Sequence, residues 1–275
     1  MNIKDLRIRD PFLLAENGSY YLTGTVNGGK DGYCEMFCGK TTEEFVSCGN
    51  PIDGKYLKGY TDLWAPELHK YKDKYYLIVS LYEQEKGRGS MIFVSERPDR
   101  GFVPLTGEYI TPAGWGCLDA TLFVQNGVPY LYFSNEWITP ITNDGDGALF
   151  VAQLSSDLKR IVSAPKKIVS GKYCGISTRK VIGPYEGYVA EGPFVYQEKT
   201  DIVLLWSTFT ETGYSIVQSR SKTGVFGEYI FEKFLFTEDG GHCMVFETFN
   251  GERLLALHQP NVTPFERIRY FNMMD

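Results

Sequence analysis

The 275-residue sequence has no run of about 18 consecutive apolar residues, so no segment reads as a membrane-spanning helix. Its start, Met1-Asn2-Ile3-Lys4-Asp5, leaves no room for the apolar core of a signal peptide before the first strand-like run. The expectation is therefore a cytoplasmic chain, or a secreted or periplasmic one if a leader has been removed. The six cysteines include no Cys-x2-Cys pair, which argues against a zinc site. Cys34, Cys38, Cys48, Cys117, Cys174 and Cys243 are expected to be mostly reduced and buried, as free cysteines usually are. An excess of positive charge is missing too. The net charge is -6, and the Lys and Arg residues are scattered without a basic patch interleaved with aromatics. Nucleic acid and anionic membranes are then poor partners, and a neutral small substrate fits better. No amphipathic helix of about 15 residues stands out, and no Trp-Asp dipeptide of the kind used by WD-repeat scaffolds occurs.

What the chain does contain is repetition. A polar or charged residue stands at the mouth of a short apolar strand in Arg9-Asp10-Pro11-Phe12, Trp64-Ala65-Pro66-Glu67, Leu118-Asp119-Ala120-Thr121, Ala190-Glu191-Gly192-Pro193 and Gly241-His242-Cys243-Met244. Each stretch runs on through a polar turn into a second strand rich in aromatic and β-branched residues. Three of the turns are Asn17-Gly18, Asn126-Gly127 and Asn250-Gly251, the pair best suited to the positive φ angles of a type I′ hairpin. Third strands such as Met91-Ile92-Phe93-Val94 and Ile216-Val217-Gln218 follow, then weaker outer ones. The anchors Asp10, Glu67, Asp119, Glu191 and His242 lie 57, 52, 72 and 51 residues apart, close to the period of a propeller blade. The prediction is an all-β, five-bladed β-propeller with four-stranded antiparallel blades around a central channel. It forms a single domain over residues 1–275. The Gly- and Pro-marked segment from Lys159 to Tyr188 is expected to be loop.

In a propeller the first strand of each blade lines the channel, so the anchors converge at one face. Asp10, Asp119 and Glu191 then share one ring with no basic residue at the anchors, and like charges so placed repel. Inverting glycoside hydrolysis gives a reason for the arrangement: a protonated carboxyl donates to the leaving oxygen while an ionised one activates water.

These five motifs, in this order from Asp10 to about Arg269, resemble those of glycoside hydrolase family 43, the five-bladed arabinosidases and xylosidases. The resemblance implies that Asp10 is the general base, Glu191 the general acid and Asp119 the residue that tunes and holds the acid. It also implies that His242 sits near the channel axis, where Ca2+ or another ion can be held, often through water, with no cofactor required for the chemistry. Phe194 departs from the pattern, since many members carry His or another polar group after the Glu-Gly-Pro. The β-sandwich domain that some xylosidase-type members append has no counterpart in this sequence.

Each residue also has a plainer reading. Asp10 before Pro11 could be a turn former, Asp119 a strand cap, Glu191 an exposed edge charge and His242 a satisfied core histidine. Glu67 could contact a sugar or pair with Lys70 or a neighbouring blade. His69 and His258 are expected to be structural. Trp64, Trp115, Glu136 and Trp137 are candidate sugar contacts, Trp64 and Trp137 foremost, although aromatics also fill blade interfaces. The Asp144-Gly145-Asp146-Gly147 run within 138–147 lacks the rest of a calcium loop and reads as a flexible rim. The leading expectation is an inverting α-L-arabinofuranosidase, with a β-xylosidase or another furanosidase-type propeller as close alternatives. A retaining fructosidase-like enzyme and a non-catalytic carbohydrate-binding propeller are the further ones.

Overall fold

The computed structural model describes residues 1–27, 29, 33–138 and 145–273. It forms five antiparallel sheets in sequence order, and they are the blades of a propeller. Blade one is β1 (Arg9–Glu16), β2 (Ser19–Thr25), β3 (Met36–Gly39) and β4 (Phe45–Gly49). Blade two is β5 (Thr61–Tyr71), β6 (Lys74–Glu83), β7 (Gly87–Ser95) and β8 (Val103–Tyr109). Blade three is β9 (Cys117–Gln125), β10 (Val128–Asn135), β11 (Ala148–Gln153) and β12 (Lys166–Ser170). A small hairpin of β13 (Lys180–Ile182) and β14 (Tyr185–Gly187) precedes blade four, which is β15 (Glu191–Glu198), β16 (Asp201–Thr210), β17 (Gly213–Ser221) and β18 (Ile230–Phe236). Blade five has three strands, β19 (Gly241–Glu247), β20 (Arg253–Gln259) and β21 (Arg267–Asn272). The segment expected to be loop thus supplies the outer strand of blade three and the extra hairpin.

Successive blades bury apolar faces against each other, and the ring closes where β1 and β2 pack on β19, β20 and β21 through Phe12, Leu22, Met244, Phe246 and Ala256. Such burial, at about 25 cal/mol per Å² of apolar surface, is the term that holds a propeller closed. Two of the three Asn-Gly turns behave as expected, with positive φ at Asn17 and Gly18 and at Asn126 and Gly127; in the third only Gly251 has positive φ. Cys34, Cys117 and Cys243 are buried and free and Cys174 is half-buried, but Cys38 and Cys48 join β3 to β4 as a disulfide. Two cysteines ten residues apart on adjacent antiparallel strands can meet in this way without any sequence signature.

One irregularity recurs in every blade. The pairing of first and second strands skips two residues: Asp10 and Pro11, Ala65 and Pro66, Asp119 and Ala120, Gly192 and Pro193, His242 and Cys243. The first residue of each skipped pair is left-handed, with φ of 52° at Asp10, 43° at Ala65, 52° at Asp119, 59° at Gly192 and 49° at His242. Proline at the second place in three blades has no N–H to leave unsatisfied there. Each bulge turns the backbone at the channel mouth and re-aims the side chain it carries. A left-handed non-glycine residue costs roughly 1–2 kcal/mol, so four of the five blades store strain at this one level.

Candidate active site

The bulges build two tiers of side chains. The residue before each left-handed position pairs with a residue in the second half of the second strand: Arg9 with Thr25, Trp64 with Ser80, Leu118 with Ser134, Glu191 with Ser207 and Gly241 with His258. Arg9, Trp64, Leu118 and Glu191 wall a cavity of about 290 Å3, and Asp10, Asp119 and His242 from the left-handed tier line it as well. Thr25, Glu136, Tyr214 and Thr263 complete the lining.

The left-handed residues are fixed from the preceding blade. The backbone N–H of Ala65 donates to Thr25 Oγ1, that of Asp119 to Ser80 Oγ, that of His242 to Ser207 Oγ and that of Asp10 to His258 Nδ1. The fourth blade departs from this scheme. Gly192 N–H donates to Asp119 Oδ2 at 3.1 Å, and the buried Ser134 hydroxyl has no hydrogen-bond partner among the described residues. On every second strand a hydroxyl or imidazole stands opposite the residue before the left-handed position, a signal present in the sequence that passes unnoticed until the register is known.

The three carboxylates occupy unlike settings. Asp10 faces His242 Nδ1 at 3.2 Å through Oδ1 and accepts the Thr25 hydroxyl at 2.6 Å through Oδ2. Burial alone would raise its pKa, but the charges of His242 and Arg9 and the Thr25 bond outweigh burial and hold it below the ordinary carboxylate value. His258, stacked behind it, stays neutral because burial lowers its pKa to about 4. Its Nε2 faces Asn261 Oδ1, which also accepts from Arg9, so the unprotonated Nδ1 is free to receive the Asp10 N–H. Asp119 and Glu191 go the other way: burial raises both, and each feels a neighbouring carboxylate. Glu191 accepts the Tyr214 hydroxyl at 2.8 Å. Burial would neutralise His242, yet Asp10, Asp119, Glu67 and Glu191 together raise its pKa and favour the imidazolium. The positive charge that the anchors lack in sequence is supplied by His242 itself and by Arg9, one residue before an anchor.

Several expected contacts land elsewhere. Glu67 lies two residues past the left-handed position of its blade and does not line the cavity. It pairs with His69 Nε2 at 2.8 Å, while Lys70 pairs with Glu16. Trp115 packs edge-on against Phe150 in the blade-three core. Trp64 and Glu136 do line the cavity. Together with Arg9 and Glu191 they continue into a second cavity of about 480 Å3, which Trp137, Phe209 and the hairpin residues Lys180, Ile182 and Tyr185 also wall. Asp144 lies outside the described residues; Asp146 is buried and accepts from the Ser170 hydroxyl and Lys172 N–H, an anchor rather than a flexible rim.

Tyr214, Thr25 and Arg88 escaped the sequence reading. Arg88 is buried beneath the wall, with its guanidinium carbon 3.7 Å from the Trp64 ring centroid. It pairs with Asp62 at 3.0 Å and Glu136 at 3.5 Å. Arg88 lies on β7, outside the repeated motif.

The sequence profile described as Glycosyl hydrolases family 43 matches residues 3–270. An endo-arabinase from Bacteroides thetaiotaomicron has a crystal structure that superposes with a TM-score of 0.92 at 29% identity, covering 100% of this chain and 97% of that one. A probable arabinan endo-1,5-alpha-L-arabinosidase A of Aspergillus flavus is 25% identical across 88% of this chain and 73% of its own. Alpha-L-arabinofuranosidase 43 of Humicola insolens is 32% identical over 54% of this chain, and the match spans only 30% of that protein's length. With the profile running through all five blades and every bulge, the chain belongs to glycoside hydrolase family 43.

Proposed function

We propose that the chain hydrolyses α-L-arabinofuranosidic bonds in arabinan-type oligosaccharides or polysaccharides, with inversion at the anomeric carbon. The observation that carries this reading is one cavity in which a carboxylate held ionised, Asp10, faces two carboxylates that resist ionisation, Asp119 and Glu191. Asp119 has His242 at 3.8 Å and a backbone N–H, whereas Glu191 has one neutral hydroxyl. Burial pushes Asp119 up to about 8, so the pair holds a proton at neutral pH, and these partners favour its place on Glu191. The ionised Asp10 and Asp119 then balance His242 and Arg9, leaving the ring neutral.

Glu191 donates this proton to the leaving oxygen, while Asp10 takes a proton from the water that attacks the opposite face of the sugar. Asp119 stays charged and keeps the Glu191 proton from being lost early. Trp64, Trp137 and Glu136 contact the sugars, and the second cavity takes those next to the bond being cleaved. An ion at His242 would have to use Nε2, because Nδ1 faces Asp10. No group of three or more His, Cys, Asp or Glu side chains suited to a metal occurs among the described residues, so its other ligands would be water. It would supply only the positive charge that the imidazolium otherwise provides.

The test is hydrolysis of nitrophenyl α-L-arabinofuranoside, nitrophenyl β-xyloside and arabinan oligomers by the native enzyme and by Glu191→Gln, with product anomers followed by NMR. Inverted arabinose, and a loss of about 10²-fold or more in the variant on oligomers, are expected. Retention of configuration would overturn the mechanism, and undiminished activity of the variant would remove Glu191 from it.

A further inference from the structure

Glu191 has two oxygens, and only one can carry the proton it donates. Four blades present a side chain to the cavity at the residue before the left-handed position, and the fifth presents Gly241. A Cβ at 241 would stand 2.3 Å from Cε1 of Tyr214, closer than any real carbon contact, so the phenol ring fills the place of the missing fifth side chain. Tyr214 sits near the start of β17, 1% exposed. Its ring stacks on His258 at 5.7 Å and leans on Phe209 at 5.0 Å, and its hydroxyl points at Glu191 Oε1.

We infer that Tyr214 is a positioning residue for the general acid: by donating to Oε1 it makes Oε2 the oxygen that carries and delivers the proton. Burial and the facing carboxylates push the phenol well above its usual range, so it acts as a donor at any working pH. A hydrogen bond to the ionised form also restrains the pKa that burial raises at Glu191, keeping the acid strong enough to give its proton up. The other titratable groups around Glu191 are Arg9 and Asp10 from β1, Asp119 from β9, Glu136 beyond β10, His242 from β19 and His258 from β20. None of them makes a hydrogen bond to Oε1 among the described residues, so the phenol is the group whose removal reads out directly.

The inference rests on the reading of Glu191 as the acid, and the two can fail separately. Tyr214→Phe keeps the ring and removes the hydroxyl. On arabinan oligomers, kcat is expected to fall about 10-fold with KM within about twofold, and the alkaline limb of kcat to move up by about one unit. Nitrophenol leaves with little proton assistance, so on nitrophenyl arabinofuranoside the loss should be several-fold smaller. Gly241→Ala, which drives the ring aside, should show the same limb shift and the same dependence on leaving group, and it serves as the readout if Tyr214→Phe does not fold. An unmoved limb, or equal slowing of both substrates, would overturn the inference. Loss of activity in Glu191→Gln alongside an unmoved limb in Tyr214→Phe would leave the acid assignment standing; full activity in Glu191→Gln would remove both.

Discussion

Asp119 Oδ2 accepts the backbone N–H of Gly192 at 3.1 Å, a bond that in the other four blades goes to a side chain on the preceding blade's second strand. One break in a five-membered ring of equivalent interactions thus places a donor on a buried carboxylate and orphans the Ser134 hydroxyl. The intact bonds and the orphan predict different costs. Ser80→Ala and Ser207→Ala each leave a buried N–H without an acceptor and should lose about 1–3 kcal/mol of stability. Ser134→Ala removes a hydroxyl that bonds to nothing described and should stay within about 0.5 kcal/mol of the native protein. Urea unfolding of the three variants measures this, and equal losses would mean that Ser134 has a partner after all.

The charge on His242 sets the acid limb of the pH profile. The imidazolium stabilises ionised Asp10, whose pKa lies below 3.8, so the base remains competent to low pH. In His242→Gln that support is gone and the Asp10 pKa should rise. The acid limb of kcat/KM should then move up by about one unit or more. Stability follows the same linkage. A raised folded pKa at His242 stabilises fully below the unfolded value of 6.5 and is lost as pH rises through the folded one. Native stability should therefore fall faster than that of the Gln variant on the alkaline side, as thermal melts across that range would record.

Much of this architecture is legible in the sequence because propellers repeat. The five anchors, the Asn-Gly turns and the triplets beginning Asp10-Pro11 or Glu191-Gly192 mark blades and site together. What is not legible depends on register. Glu67 resembles an anchor, but Ala65 holds the left-handed position of its blade, and three residues along the strand separate the cavity wall at Trp64 from an internal pair with His69. Tyr214 and Arg88 come from strands outside the motif, and they reach the site only because Gly241 has no side chain and Trp64 offers a face to stack on. His258 reads as structural in sequence and does play that part, yet the N–H it holds belongs to the residue proposed as the base.

Asp119→Asn keeps the size of the side chain and its acceptor for Gly192 N–H while removing a negative charge beside Glu191. Without that charge to hold the proton in place, the Glu191 pKa should fall. The alkaline limb should move down, opposite to the shift expected for Tyr214→Phe. Activity on arabinan oligomers should drop about 10²-fold or more. A profile that keeps its limb while activity collapses would assign Asp119 to orientation alone.

Arg88 supports the wall without touching the ring of carboxylates, so its loss should appear in binding. The guanidinium lies over Trp64 at 3.7 Å and reaches Asp62 and Glu136, a planar stack and fork that lysine cannot reproduce. In Arg88→Lys the indole loses the face it packs on, and Glu136 loses part of the opposing charge that counters its burial-raised pKa. A stacked cation at a desolvated site is worth about 2 kcal/mol, which corresponds to a rise in KM of roughly 10- to 30-fold for arabinan oligomers. Both pH limbs should stay in place, because Asp10 and Glu191 keep their own partners. If kcat falls instead while KM holds, Trp64 positions the scissile bond rather than the neighbouring sugar.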